Sequence, residues 1–278
     1  MGPRGCSVPR RLRPVTSVWG DDERAGGLGH RPRLPDLLPQ VVLPRLRGRF
    51  GRPYRYLGAV GSTQDALRQW ARAGAPEGAV VLAERQTAGR GRRGRAWVSP
   101  GGGLYFSVLL RPVQPLPLLS LAAGVALVDA CQLGGLKWPN DLLAPDGRKL
   151  AGVLVEAEIQ DGGAQAVYLG VGLNVEPDGL PLGAAGLAEF RPVDRAELLA
   201  ELLWALEMWA SAPPEAVGRA WRRRNCTLGQ WVRVTMGENT VEGVAVDLAA
   251  DGALIVQTRA GQRTVRAGDV VHLRHRQA

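Results

Sequence analysis

Four short stretches of this sequence carry side chains able to do chemistry. The first is Gly89-Arg90-Gly91-Arg92-Arg93-Gly94 followed by Arg95-Ala96-Trp97, a run of four Arg in a region with no Asp or Glu from Arg85 to Val128. Glycine lets backbone amides approach an anion, and guanidinium groups supply forked donors matched to phosphate or carboxylate. The run also satisfies GxGxxG, but a dinucleotide site needs a helix opening at the third Gly and an acid about twenty residues on. Arg95-Ala96-Trp97-Val98-Ser99-Pro100 and three Gly cannot open a helix, and the acid is missing, so the Rossmann reading fails. There is no Gly-Lys-Ser/Thr, so this is not a P-loop. Repelling charges and flexible glycines predict a loop poorly ordered alone that closes over a polyanion, with Trp97 as a stacking surface.

The second stretch, Lys137-Trp138-Pro139-Asn140-Asp141, sets an amide and a carboxylate directly after a Pro that fixes the backbone and so aims them. In the third, Lys149-Leu150-Ala151-Gly152, a Lys enters an apolar strand and should sit at the sheet's end, facing an anion. In the fourth, Gly170-Val171-Gly172-Leu173-Asn174-Val175, a buried run ends in Asn and its small residues let something pack close. Lys137 and Lys149 are the only Lys among 35 basic residues. Positions that stay Lys in an Arg-biased chain are candidates for work a guanidinium cannot do. Basic groups, amides, one aimed carboxylate and a mobile loop suit condensation of a carboxylate with a nucleoside triphosphate.

The elements that must hold these groups are legible in the pattern. Ser62 is an N-cap for a helix over 66–73, preceded by Thr63-Gln64-Asp65 in the turn. Strands are expected at 79–84 and 104–110, a buried helix at 118–131, and a hairpin of apolar strands at 150–158 and 166–174 around Asp161-Gly162-Gly163. Leu198, Leu199, Leu202, Leu203 and Leu206 mark a helix over 195–209, and a basic helix follows Pro213-Pro214 to Arg224. Short β runs at 231–235, 241–247, 253–257 and 263–266 predict a small SH3-like barrel. Strands and helices without a regular βαβ beat predict an α+β fold with a mixed or antiparallel sheet. The expected division is a basic Pro/Gly-rich irregular tail at 1–50, a catalytic domain at 51–225 and the barrel at 226–278.

Charge and composition exclude several classes. The net charge of +9 suggests nucleic acid until it is located: residues 1–50 carry ten Arg against four acids, and the body is nearly balanced. No run approaches the 18 apolar residues a membrane helix needs, and the first twenty residues lack the apolar core of a secretory signal. Cys6, Cys131 and Cys226 lie far apart without a CxxC pair, which argues against a disulfide framework or zinc site and fits a reducing cytoplasm.

GRGRRGRAW, KWPND, RKLAG and GVGLN, in this order, closely resemble the biotin protein ligases from about Tyr54 to the C-terminus. The resemblance implies a mixed sheet related to the class II aminoacyl-tRNA synthetase core, followed by the SH3-like module. It implies activation of biotin with ATP and Mg²⁺ to biotinyl-5′-AMP, then transfer to a lysine of a carboxylase's biotin carboxyl carrier domain. Carried over by position, Ser62, Thr63, Gln64 and Gln86 hold biotin, and Arg90, Gly91 and Arg92 form the adenylate-binding loop. Trp97 packs on adenine, Lys149 reaches the biotin carboxylate and the α-phosphate, and Gly152 lies in the biotin pocket. Asn174 falls in the nucleotide and Mg²⁺ region, Asp141 helps the acceptor lysine lose its proton, and Arg274, the loosest match, contacts the nucleotide. The Mg²⁺ ligands are not identified.

Two departures stand out: Gln64 where the family often has Asn, and one extra residue between Lys137 and Lys149. Bifunctional members carry an N-terminal winged helix, for which the first fifty residues are too short and too Pro/Gly-rich, so a ligase without specific DNA binding is expected. A homodimer through a sheet edge is compatible with the sequence. Among rivals, an octanoyltransferase needs an acyl-accepting Cys in a motif that neither Cys131 nor Cys226 resembles. A lipoate ligase shares the adenylation chemistry but not the GRGRRGRAW and KWPND wording. The tail's composition argues against a biotin-responsive DNA-binding regulator. The intact lysines and loop argue against a degenerate biotin binder.

Overall fold

The structure, a computed structural model, describes residues 36–111, 116–160 and 163–273. Residues 1–35 of the expected tail, the Asp161-Gly162 turn and Arg274 lie outside the described residues. From Asp36 the chain forms a short helix α1 (Pro39–Val42), strand β1 (Tyr54–Val60), helix α2 (Thr63–Arg72), β2 (Val80–Gln86) and β3 (Leu104–Leu110). There follow α3 (Leu116–Cys131), the strand pair β4 (Gly135–Lys137) and β5 (Asp141–Leu143), and the long β6 (Lys149–Gln160) and β7 (Gly163–Leu173). Helices α4 (Arg195–Ala210) and α5 (Pro214–Arg224) lead to β8 (Trp231–Met236), β9 (Asn239–Leu248), β10 (Leu254–Thr258), β11 (Gly261–Val265) and β12 (Asp269–His272).

The first seven strands form one sheet in the order β1-β2-β3-β7-β6-β5-β4. Only β1 and β2 run parallel, joined through α2, and every other neighbour is antiparallel. The mixed α+β sheet expected from the pattern is therefore present. Alternation along the strands divides its side chains between two faces. Val80, Leu82, Phe106, Val108, Val153, Leu169 and Val171 join α3 and α4 in the main core. Val81, Leu109, Ala166 and Tyr168 point the other way and pack on Leu67 of α2. Helix α3 is apolar almost all round because it is covered by the sheet on one side and by α4 and α5 on the other.

The segment 36–50 is not the irregular tail the composition suggested. Leu37, Val42, Leu46 and Phe50 are buried in the main core, and Tyr54 Oη donates to the Leu37 carbonyl at 2.8 Å. Arg195 of α4 binds Asp36 and Glu84 together and donates to the Gly103 carbonyl. The packed body thus begins by residue 36, and a boundary at 51 would cut through its core.

The last five strands form a separate antiparallel sheet in the order β11-β10-β9-β8-β12. β11 and β12 are its edges and no ladder joins them among the described residues, so the sheet is open where a closed barrel was expected. It is joined firmly to the body. Trp138 N donates to Thr227 Oγ1 at 2.9 Å, and its indole N–H donates to the Gly252 carbonyl at 3.0 Å. Val232, Val234, Ala245 and Leu254 belong to the same core as the large sheet.

Candidate active site

The site opens on the α2 side of the large sheet, where β6 and β7 carry glycine at adjacent positions. Gly152 stands opposite Gly172 in the ladder, and the Trp97 indole lies across both. A Cβ on Gly172 would come 2.4 Å from Trp97 Cε2, and one on Gly152 3.0 Å from Cζ3. Gly170 makes the same room for Gln64, whose Cδ would be 3.1 Å from a Cβ there. The glycines of the GVGLN stretch are a flat seat for two site side chains, as its small residues implied. Gly170 and Gly172 were read from the sequence as part of that close-packing stretch, without an individual ligand-binding role.

The polar wall comes from the start of α2. Ser62 occupies the N-cap position, but its side chain makes no capping hydrogen bond. The helix begins at Thr63, so Thr63 and Gln64 belong to its first turn. Gln64 Nε2 donates to the carbonyls of Tyr168 (2.9 Å) and Leu154 (3.1 Å). Both amide protons are taken, so what Gln64 offers a ligand is its carbonyl oxygen. Thr63 N donates to Gln86 Oε1 at 2.9 Å, Gln86 Nε2 donates to Ser99 Oγ at 3.0 Å, and Thr63 Oγ1 shares a 2.8 Å hydrogen bond with Ser107. These groups enclose a cavity of about 150 Å³ that opens to solvent. Ser62, Thr63, Gln64, Gln86, Arg90, Gly91, Arg92, Trp97, Lys149 and Gly152 all line it. Ser107 and Asn140 line it too and had not been singled out as ligand-binding positions.

Asn174 and Asp141 do not line the cavity. Asn174 is buried beneath it, where Nδ2 donates to the Lys149 carbonyl at 3.3 Å and the backbone N–H donates to Leu150 O. It braces the strand that carries Lys149. Asp141 meets Lys149 directly, with Nζ 2.7 Å from Oδ1, and the same ammonium lies 5.2 Å from the Trp97 ring centroid. The Trp97 indole N–H is buried with no hydrogen-bond partner, a donor left for a ligand to satisfy.

The Arg-rich loop has protein partners that its own neighbourhood lacks. Arg90 binds both oxygens of Asp65 (2.5 and 2.9 Å) and reaches Glu156 at 3.2 Å. That hydrogen-bonded pairing holds the Asp65 carboxyl below its ordinary range. Arg92 donates to Asn140 Oδ1 (3.3 Å) and Gly268 O (3.2 Å), and burial holds its guanidinium below its ordinary value. Arg93 and Arg95 share Asp269 of β12 at 3.3 and 2.7 Å. A loop expected to wait for a polyanion is latched by carboxylates from α2, β6 and β12, up to 176 residues away.

The Biotin/lipoate A/B protein ligase family profile matches residues 57–174, and the Biotin protein ligase C terminal domain profile matches residues 227–273. The biotin–[acetyl-CoA-carboxylase] ligase of Mycobacterium tuberculosis is 40% identical over 275 residues, covering 88% of this chain and 99% of the relative. The chain belongs to the biotin protein ligase family. The bifunctional ligase/repressor BirA of Bacillus spizizenii is 31% identical over 80% of this chain and 74% of its own length. Among solved structures, a biotin protein ligase from Aquifex aeolicus in complex with biotin and ATP superposes with a TM-score of 0.67 at 30% identity. That match covers 80% of this chain and 99% of the other. As a family member the chain carries the two profiles on either side of the α4–α5 pair, and Trp97, Lys149 and the glycine seat all fall within the first.

Proposed function

We propose that this chain is a ligase that activates biotin with ATP and passes it to a lysine of a biotin carboxyl carrier domain. In the first step a biotin carboxylate oxygen attacks the α-phosphorus, giving biotinyl-5′-AMP and pyrophosphate. In the second the carrier amine attacks the activated carbonyl, AMP leaves, and the amine loses a proton. The observation that carries the reading is the meeting of Lys149, the Arg-rich loop and the Ser62–Gln86 polar wall at one cavity. Carboxylate and triphosphate repel each other, so the work of the protein is to neutralise and align them.

In this reading Ser62, Thr63, Gln64 and Gln86 hold biotin over Gly152, and the Gln64 carbonyl accepts a hydrogen bond from the ligand. Arg90, Gly91 and Arg92 hold the nucleotide phosphates, and Trp97 packs on adenine while its N–H gains a partner. Lys149 leaves Asp141 for the reacting oxygens, and Asp141 then accepts the proton-bearing amine of the carrier. Asn174 acts by holding Lys149. Mg²⁺ commonly enters a site on substrate phosphates with few protein ligands. Among the described residues no group of three or more His, Cys, Asp or Glu could hold a metal ion, so no step is assigned to it.

We read the C-terminal sheet as an SH3-like module and the body as a relative of the class II synthetase core. The reaction is placed in the cytoplasm, a reading supported by three widely spaced Cys with no CxxC pair. The open edge of the large sheet at β1 is the surface available for a homodimer, since Asn225 and Cys226 cover β4. No helix among the described residues is long and apolar enough to cross a membrane. No DNA-binding role is assigned to them.

The test is biotin-dependent pyrophosphate release from ATP and Mg²⁺, with wild type and Lys149→Ala compared. Release by the wild type and its loss in the variant supports adenylation with Lys149 at the reacting carboxylate. Release with lipoate or octanoate but not biotin replaces the substrate. Silence with all three acids overturns the enzyme.

A further inference from the structure

Lys137, the second of the two lysines, has no part in the reaction as described so far. Across the large sheet Lys137, Asp141, Gly152, Gly172 and Tyr105 stand directly opposite one another on successive strands β4, β5, β6, β7 and β3. Directly opposed residues of antiparallel strands share a face, with Cβ atoms about 5 Å apart. Lys137 therefore lies on the site face, one strand beyond Asp141, while Lys149 reaches Asp141 from the other side at 2.7 Å. Lys137 is half-buried, and among the described residues its ammonium has no ion-pair partner within 4.0 Å. His272 of β12 is close enough to feel its charge and is hydrogen-bonded to Thr227 Oγ1 at 3.3 Å. Arg92, the remaining cation near Asp141, is held by Asn140 and Gly268.

The geometry points to Lys137 as a positioning residue for Lys149: it becomes the counter-ion of Asp141 when Lys149 turns to the reacting oxygens. This rests on the adenylation reading above. Lys149 is engaged in the free protein, and its side-chain partner Asp141 is only 21% exposed. Leaving such a carboxylate with no cation in direct contact, Arg92 being committed to Asn140 and Gly268, is costly and would hold Lys149 back. An ammonium on a flexible four-carbon stem, directly opposite, swings in as the other departs. A planar guanidinium with fixed donors does this poorly, which gives a reason for Lys at this position in a chain that otherwise uses Arg.

The experiment is a double-mutant cycle on the first half-reaction, read as biotin-dependent pyrophosphate release at saturating biotin and ATP, with thermal unfolding of each variant. Lys137→Met is expected to slow release about tenfold. In Asp141→Asn no carboxylate is left stranded, so Lys137→Met added to it should cost less than twofold, and the double variant should be faster than Lys137→Met alone. A lysine with a merely structural role would give losses that multiply, and that result overturns the inference. If Lys137→Met does not fold, Lys137→Gln serves in the same cycle. A wild type that releases no pyrophosphate with biotin defeats the adenylation reading itself. A working wild type with multiplicative losses defeats only the role of Lys137.

Discussion

The glycine seat under Trp97 gives a graded test in which one methyl group is added at three places. At Gly172 the new Cβ would stand 2.4 Å from Trp97 Cε2, against a comfortable carbon separation of about 3.5–4.0 Å. The ring must rise by roughly 1 Å, because the seat is sheet backbone and the indole is the part free to move. At Gly152 the contact is 3.0 Å, which asks for roughly half that movement. At Gly58 of β1 nothing lies within 4 Å of the added carbon. Overpacking of this kind costs about 1–3 kcal/mol. Since the ring can lift toward the cavity, the loss should appear in ligand handling more than in folding. We expect Gly172→Ala to lower kcat/KM for ATP about thirtyfold, near 2 kcal/mol, and Gly152→Ala about fivefold. Gly58→Ala should be within twofold. The assay is pyrophosphate release with ATP varied at saturating biotin, and thermal unfolding should show losses under about 1 kcal/mol for all three. If Gly172→Ala behaves like Gly58→Ala, the seat does not set the position of Trp97 and the argument falls.

Two further outcomes follow from the cross-chain contacts. Asp269→Ala removes the shared partner of Arg93 and Arg95; exposed ion pairs are each worth about 0.2–1 kcal/mol. The expected result is a few-fold rise in KM for ATP and faster tryptic cleavage within the loop, and an unchanged cleavage rate would count against the latch. His272 is pushed down to about 4 by burial and then by the Lys137 charge, from an ordinary 6.5. The folded ring stays neutral where the unfolded one binds a proton, so stability is full above pH 6.5 and declines as pH falls toward 4. Between pH 7 and 5 the decline from this ring should be about 1 kcal/mol after allowing for its partial exposure, and His272→Gln should lack it. Urea midpoints at the two pH values check this, and equal declines in both proteins would refute it.

Local pattern carried much of the fold. β3 is found at Leu104–Leu110 as expected, and α3 and α4 begin or end within two residues of their expected bounds. Their apolar periods are set by burial alone, which the chain announces in its own order. The lining of the cavity was legible where a motif's residues lie close to their own backbone, as with Trp97, Lys149 and Gly152. It was less legible where partners come from afar. Nothing near Arg90 or Arg95 announces Asp65 or Asp269, because ion pairs between distant segments leave no period. Asn174 ends a strand toward the site, yet it turns under Lys149, since an Asn at a strand end serves a backbone carbonyl as well as a ligand. Leu37, Val42, Leu46 and Phe50 went unread because Pro and Arg between them break any helical or alternating rhythm, although each is buried.

The clasp around Arg195 reaches further than the packing it secures. Its guanidinium holds Asp36, the first described residue, and also Glu84, whose Oε1 accepts the Gly102 N–H at 2.9 Å. It also donates to the carbonyl of Gly103. Gly102 and Gly103 are where the chain leaves the Trp97 segment and enters β3. The first described residue and the segment by which the chain leaves the Arg-rich loop for β3 are therefore fastened to one cation. A tag or fused module ending close to Asp36 pulls on that fastening, whereas a spacer that lets Asp36 keep its hold leaves the loop's exit under no tension.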